Sequence, residues 1–410
     1  AEVPDRPGLL VAQTRLEDAI RARTRRLAAS RDAVRGWGRL VPALTAALGD
    51  RVFVELVRCG DELLAVTVAD GRCRRVALGS YAQAEHDVRL LRFAVSRLAR
   101  EASGGPGRPG GPEGSGGPGG FSGFEGSEGF DGSAGSSELP GPGGLGGSSG
   151  SGGLAGSGGF ASGAAGRGLA AAAGRLDAQL VRGLRLGDRP VVLAPAGALH
   201  GLPWAALPSL AGRALTVVPS AASWLRALRV PASPGHVALV AGPGLACAAD
   251  EVAAVRARYP EARVLTGAAA TADAVRTALD GAATAHIAAH GTFRSGNALF
   301  SSLRLADGPL VTYDLERLRR PPRLMILSAC DAGRADVRAG EAVMGMVGCA
   351  LTFGTATVVA GVTPVGDAAA RDLMTGCHER LAAGLPPAEA LAATPRDPAA
   401  LGFTCFGAGY

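Results

Sequence analysis

His286-Ile287-Ala288-Ala289-His290-Gly291, followed forty residues later by Ile326-Leu327-Ser328-Ala329-Cys330-Asp331-Ala332-Gly333, is the stretch that decides how the chain is read. Each half is an apolar run that stops at a reactive side chain and a glycine. The first run ends at His290-Gly291, the second at Cys330, three residues before Gly333. Short apolar runs bounded in this way read as buried strands. A histidine and a cysteine at the ends of two such strands can form a base and a nucleophile.

Outward from this pair, strands and helices alternate. Strands are predicted at 190–195, 216–219, 236–241, 263–265, 284–289, 324–329 and 356–360. Helical spacing falls between them at about 168–185, 250–259, 271–279, 312–319, 340–352 and 367–383. Residues 299–305 and 308–311 predict a small hairpin, and Phe403-Thr404-Cys405-Phe406 a last strand at a sheet edge. Alternation of this kind means an α/β fold, a mostly parallel sheet with helices on both faces. Catalytic groups in such a sheet collect outside the carboxyl ends of the strands. Neighbouring parallel strands lie about 4.8 Å apart. Loops leaving one edge can therefore bring an imidazole within reach of a thiol. His290 can then take the proton of Cys330 or hold it as thiolate. Gly291 permits close approach of a bound carbonyl, and its N–H with that of Cys330 predicts an oxyanion hole.

Upstream of the alternating part, period-two runs at 52–57, 63–68 and 74–78 predict a small β-rich subdomain, flanked by helices at 41–49 and 81–100. Residues 1–40 are predicted to be an N-terminal helical segment. Leu9, Leu16, Ile20 and Leu27 recur at helical spacing with arginines between them. That face fits a basic surface for a membrane or an acidic partner, a solvated helix face, or the last helix of an upstream repeat array. From 101 to 167 nearly half of the 62 glycines crowd together with Ser and Pro. Such a tract buries too little apolar surface to offset the entropy of ordering and reads as a flexible insert. Its Gly-x-Ser-x-Gly match around Ser148 has neither a strand before it nor a helix after it, so a hydrolase elbow is excluded.

Composition removes other classes. The net charge of +6 comes from arginines dispersed along a chain that is only 4% aromatic. Nucleic-acid binding asks for a concentrated patch with aromatic partners. The seven cysteines contain no Cys-x-x-Cys pair, so neither a zinc ribbon nor a disulfide framework is indicated. Reduced thiols point to the cytoplasm. No uninterrupted apolar run is long enough to span a membrane. The Lys-free bias toward Ala, Arg and Gly is associated with a bacterial source. Gly242-Pro243-Gly244 invites a dinucleotide-binding reading. Cys247 stands where the third glycine belongs and Pro243 removes an amide, so that reading is rejected. Among the other histidines, His286 faces the same side as His290 by strand alternation and either supports the base or packs. His200 reads as a loop residue. His86, His236 and His378 have no ionisable company in the sequence.

At this point the residues resemble a known family. His290-Gly291 after an apolar strand, Leu327-Ser328-Ala329-Cys330 and Gly340-Glu341-Ala342 are similar to the CHAT domain, a bacterial caspase-like cysteine peptidase of the caspase and separase clan. Leu199-His200-Gly201-Leu202-Pro203-Trp204, Asn297-Ala298-Leu299, Leu305-Ala306-Asp307-Gly308, Pro364-Val365 and Phe406-Gly407-Ala408-Gly409 extend the resemblance over 41–410, interrupted by the insert. Thr363 departs from it, standing where an aromatic is common. The resemblance implies a caspase-like fold, His290 as base, Cys330 as nucleophile, and peptide hydrolysis through a thioester without metal or nucleotide. It also implies a protein substrate and a tetratricopeptide-type sensor or activating partner. Asp331, Asp307 and Glu341 are the acidic pocket candidates, which would select a basic substrate residue or serve only as caps and surface charges. The alternative reading is a catalytically idle caspase-like adaptor.

Overall fold

The structure is a computed structural model that describes residues 37–103, 164–232, 234–292, 298–328 and 339–409. The expected helix over 8–36 and nearly all of the insert lie outside the described residues. In chain order the elements are α1 (Trp37–Leu48), β1 (Val52–Cys59), β2 (Glu62–Ala69), β3 (Arg72–Ser80), α2 (Tyr81–Ser103) and α3 (Ala164–Leu180). There follow β4 (Val191–Ala194), β5 (Leu215–Val217), α4 (Ala221–Leu228), β6 (His236–Ala241), α5 (Ala248–Arg256), β7 (Arg263–Leu265) and α6 (Ala272–Leu279). Next are β8 (Ala282–Ala288), β9 (Gly291–Thr292), β10 (Ser302–Arg304), β11 (Pro309–Val311) and β12 (Leu324–Ser328). The last are α7 (Ala339–Phe353), β13 (Thr357–Gly361), α8 (Asp367–Ala382), α9 (Pro387–Ala393) and β14 (Phe403–Gly407).

Eleven strands form one sheet in the order β3-β2-β1-β4-β5-β14-β13-β12-β8-β6-β7. Most neighbours are parallel. The exceptions are the meander β1-β2-β3 and the β13/β14 pair. Two parallel halves of opposite direction therefore meet at β13/β14. The β-rich segment near the start is joined to the main sheet, because β1 pairs in parallel with β4. Strand β14 is not at an edge as its position in the sequence suggested. It lies between β5 and β13, and all five of its residues are buried. The expected helix over 312–319 is a 3₁₀ turn at Thr312–Arg317, while the small hairpin forms as β10 and β11.

Period-two alternation sorts the strand side chains onto two helical layers. On one face Ala285 and Ile287 of β8 and Met325 and Leu327 of β12 pack with α6 and α7. On the other, Ala288 joins α5, and Leu324 and Ile326 join α8. Strands buried on both faces read as continuous apolar runs, which is why they were visible in the sequence.

A buried polar chain ties that second layer to β8. His286 and His378 are fully buried, and Nε2 of His378 lies 3.1 Å from Nδ1 of His286. Nδ1 of His378 lies 3.3 Å from the Tyr259 hydroxyl. Oε1 of Glu251 in α5 is 3.0 Å from Nε2 of His286, close enough for charge contact but misaligned for a hydrogen bond. In one proton arrangement the Tyr259 hydroxyl donates to His378 Nδ1, His378 Nε2–H donates to His286 Nδ1, and His286 Nε2–H faces Glu251 without a hydrogen bond. His378 thus has ionisable company after all, supplied by a strand 92 residues away in sequence.

Burial, with the His286 ring as a smaller contribution, holds the His378 imidazole well below its ordinary range, and burial pushes the Tyr259 phenol up to about 12. A histidine kept neutral in the fold gains its proton first in the unfolded chain. Stability is therefore complete above about pH 6.5 and declines below it, by at most about 1.4 kcal/mol per pH unit from this one group. Urea midpoints measured from pH 7.5 to 5 should show that decline in the wild type and a shallower one in His378→Gln. An equal slope in both would remove His378 as its source.

Candidate active site

Three carboxyl ends stand side by side at one edge of the sheet. Ala288 closes β8, and its register partners are Ser328 at the end of β12 and Ala241 at the end of β6. His290 follows Ala288 by two residues, and Cys330 follows Ser328 by two residues. Two residues of chain reach at most about 7 Å, so the His290 side chain belongs to this edge. Cys330 and Asp331 lie outside the described residues, as does the side chain of Glu341 in α7.

The loop after β6 seats the His290 ring. The Gly242 amide donates to the carbonyl of Ala288 at 2.7 Å. Nε2 of His290 lies 3.0 Å from the carbonyl oxygen of Gly244. A carbonyl only accepts, so Nε2 carries the proton and Nδ1 is left as the basic nitrogen. Two glycines make the seat. A Cβ on Gly242 would stand 2.7 Å from the Ala289 Cβ and from the Arg304 carbonyl oxygen. Gly244 adopts φ +87°, and a Cβ there would stand 3.4 Å from both Cδ2 and Nε2 of His290. The Gly-Pro-Gly run that fails as a dinucleotide fingerprint is therefore the wall that orients the imidazole. Sequence reasoning missed this role, since the only signal was a glycine pair at a strand end.

Beyond His290 the chain enters a second sheet of order β11-β10-β9. The Arg304 amide donates to the carbonyl of His290 at 2.8 Å, while Gly291 stands opposite Leu303. Antiparallel ladders alternate bonded and non-bonded pairs. With His290 and Arg304 as the bonded pair, the N–H of Gly291 turns away from β10, at the outer strand of this small sheet. The exposed Arg304 guanidinium places Nη1 3.9 Å from the same Gly244 Cβ point, a cation beside the imidazole. Asp307 is exposed, and its carboxylate accepts from the Ala272 amide at 2.8 Å, capping α6. His286 packs in the buried chain described above. His200 keeps to its loop, with Nδ1 3.1 Å from the Gly197 carbonyl oxygen. Cys377 is a core thiol whose burial pushes it up to about 12. Among the described residues no three His, Cys, Asp or Glu side chains gather to hold a metal, and no helix is long and apolar enough to cross a membrane.

The family described as the CHAT domain matches residues 166–398, more than half of the chain. No curated protein matches it in sequence. Among solved structures the chain is similar to Saccharomyces cerevisiae separase in its complex with securin, at 12% identity and a TM-score of 0.40, covering 53% of this chain and 15% of that one. It is also similar to the complex of Porphyromonas gingivalis RgpB pro- and mature domains, at 12% identity and a TM-score of 0.39, covering 53% and 64%. A third is the Arg-specific cysteine proteinase gingipain R, at 11% identity and a TM-score of 0.34, covering 53% and 62%.

Gly244→Ala puts a Cβ against the imidazole in a backbone conformation that costs an L-residue roughly 1–2 kcal/mol. Long-range nitrogen–proton NMR should show His290 as the Nε2–H tautomer in the wild type and a mixture in Gly244→Ala. An unchanged tautomer in the variant would remove the Gly244 carbonyl as the orienting group.

Proposed function

The chain belongs to the CHAT domain family, and from that membership we propose that it is a cysteine endopeptidase hydrolysing peptide bonds of a protein substrate through His290 and Cys330. The observation that supports the reading is the register of β8 on β12, which pairs Ala288 with Ser328; in the sequence His290 and Cys330 each follow one of these by two residues. The seated ring adds to it, because the Gly244 carbonyl takes the Nε2–H and leaves Nδ1 as the basic nitrogen.

In this mechanism Nδ1 of His290 takes the Cys330 proton, and the thiolate attacks the substrate carbonyl. The tetrahedral oxyanion is held by the N–H groups of Gly291 and Cys330. His290 returns the proton to the leaving amine, the C–N bond breaks, and a thioester remains. A water that gives its proton to His290 then attacks the thioester, releasing the acid product and the Cys330 thiol. Among the acidic candidates, Asp307 is occupied as a helix cap, which leaves Asp331 and Glu341 as the residues that would select a basic P1 side chain. An activating partner, such as a tetratricopeptide-type sensor, would control the segments that carry Cys330 and Asp331.

Cleavage of a peptide library by the full chain, and labelling by a thiol-directed peptide electrophile, test this. His290→Ala should lower kcat/KM by at least about 10²-fold, and Cys330→Ala should abolish both cleavage and labelling, with melting temperatures preserved. Full activity in Cys330→Ala would falsify the assignment. A folded wild type that neither cleaves nor labels, alone or with candidate partners, would make the chain an idle caspase-like adaptor.

A further inference from the structure

At the far edge of the sheet from His290, the β2–β3 turn and the loop between α3 and β4 enclose a cavity of about 300 Å³. Val52 and Leu186, both buried, help line it, together with Thr67. Its rim is made of arginine: Arg72 and Arg74 from β3, Arg185 and Arg189 from the loop. Asp70 is the only acidic lining residue, and its Oδ2 lies 2.8 Å from Nη2 of Arg189. The guanidinium groups of Arg72, Arg74 and Arg185 make no hydrogen bond or close ion pair among the described residues, while the charges of Arg72 and Arg74 also act on Asp70.

Two further observations separate this cluster from a solvated face. First, Arg72 and Arg74 are two apart on one strand, so they share a face, while Arg75 is turned to the other. In register Arg74 stands opposite buried Thr67, and Arg75 opposite Val66. Second, the only non-glycine residues with positive φ among the described residues both belong to this rim: Asp70 at 50° and Arg185 at 52°. Asp70 sits in an Asp-Gly hairpin turn, where that conformation is usual. Arg185 closes the 3₁₀ turn Arg182–Leu184 in the left-handed region, a common way for a helical turn to end, although glycine is the residue that region favours. Both left-handed residues close turns, and both turns contribute to the rim.

The chemistry of the rim selects the ligand. Guanidinium forks match phosphate oxygens in two-point geometry. Four arginines against the one carboxylate of Asp70 leave this small concavity positive, which calls for several negative charges on a compact body. The volume is that of a small-molecule site, and the apolar lining leaves room for a nonpolar part. We propose that this cavity is a binding site for the phosphate chain of a small polyphosphorylated ligand, held by Arg72, Arg74 and Arg185 and separate from the His290 edge.

The test is calorimetric titration of the full chain with inorganic triphosphate at a fixed ionic strength of about 0.15 M sodium chloride. Saturable one-to-one binding is expected. Arg74→Ala and Arg185→Gly should each weaken it about tenfold, whereas Arg75→Ala, which removes the same charge from the opposite face of the same strand, should stay within about twofold. Arg185→Gly carries a second readout. Glycine accepts the left-handed backbone, so this variant should melt no lower than wild type while losing affinity. Adenosine triphosphate run in parallel distinguishes the source: tighter binding than triphosphate assigns a nucleotide, equal binding assigns the phosphate chain alone, and either supports the site. No saturable binding in wild type, or weakening by Arg75→Ala equal to that by Arg74→Ala, overturns it.

Discussion

Five register pairs between β8 and β12, from Thr284 with Leu324 to Ala288 with Ser328, hold the rest of the arrangement in place. Parallel pairing fixes which residues end together, and a slip of one would turn every side chain of a strand to the opposite layer. Both strands are buried on both faces, so such a slip is strongly opposed. It would put His286 among the aliphatic side chains of α6 and α7 and take it from His378 and Glu251. The buried polar chain thus works as a register pin. A polar group left unsatisfied in the interior costs about 1–3 kcal/mol, and a slip would take from His286 its hydrogen bond with His378.

The same edge shows how orientation is divided among segments distant in sequence. The His290 imidazole follows the end of β8, its tautomer is set by a carbonyl after β6, and its backbone support comes from β10. None of these contributors is large. Two glycines and a pair of backbone hydrogen bonds suffice, because backbone groups on a rigid sheet need no side-chain ordering entropy.

Much of this was legible in the sequence. Apolar runs that stop at His290 and near Cys330 announce strand ends, and strand–helix alternation announces a parallel sheet, because doubly buried strands lose their polar alternation. Contacts between distant segments were not legible. Nothing local in Gly242-Pro243-Gly244 says that an imidazole 46 residues later rests on it. Nothing local in His378 reveals His286. Dispersed arginines argued against any concentrated patch, yet the β2–β3 turn and the loop before β4 gather four of them around one cavity. Strand β14 was misplaced for a related reason: five short residues look alike at an edge or at the centre, and only the partners on each side decide.

That placement of β14 bears on how the protein is made. It is the sixth of eleven strands in the sheet and the last of them in the chain. As the polypeptide leaves the ribosome, β1 to β5 form one partial sheet and β6 to β13 another, each with an unpaired apolar edge that invites association with other chains. The two halves join only when Phe403–Gly407 threads between β5 and β13. Late closure of this kind is slow, because it links residues far apart in sequence. It also makes the whole sheet cooperative: losing five residues at the centre separates the two halves.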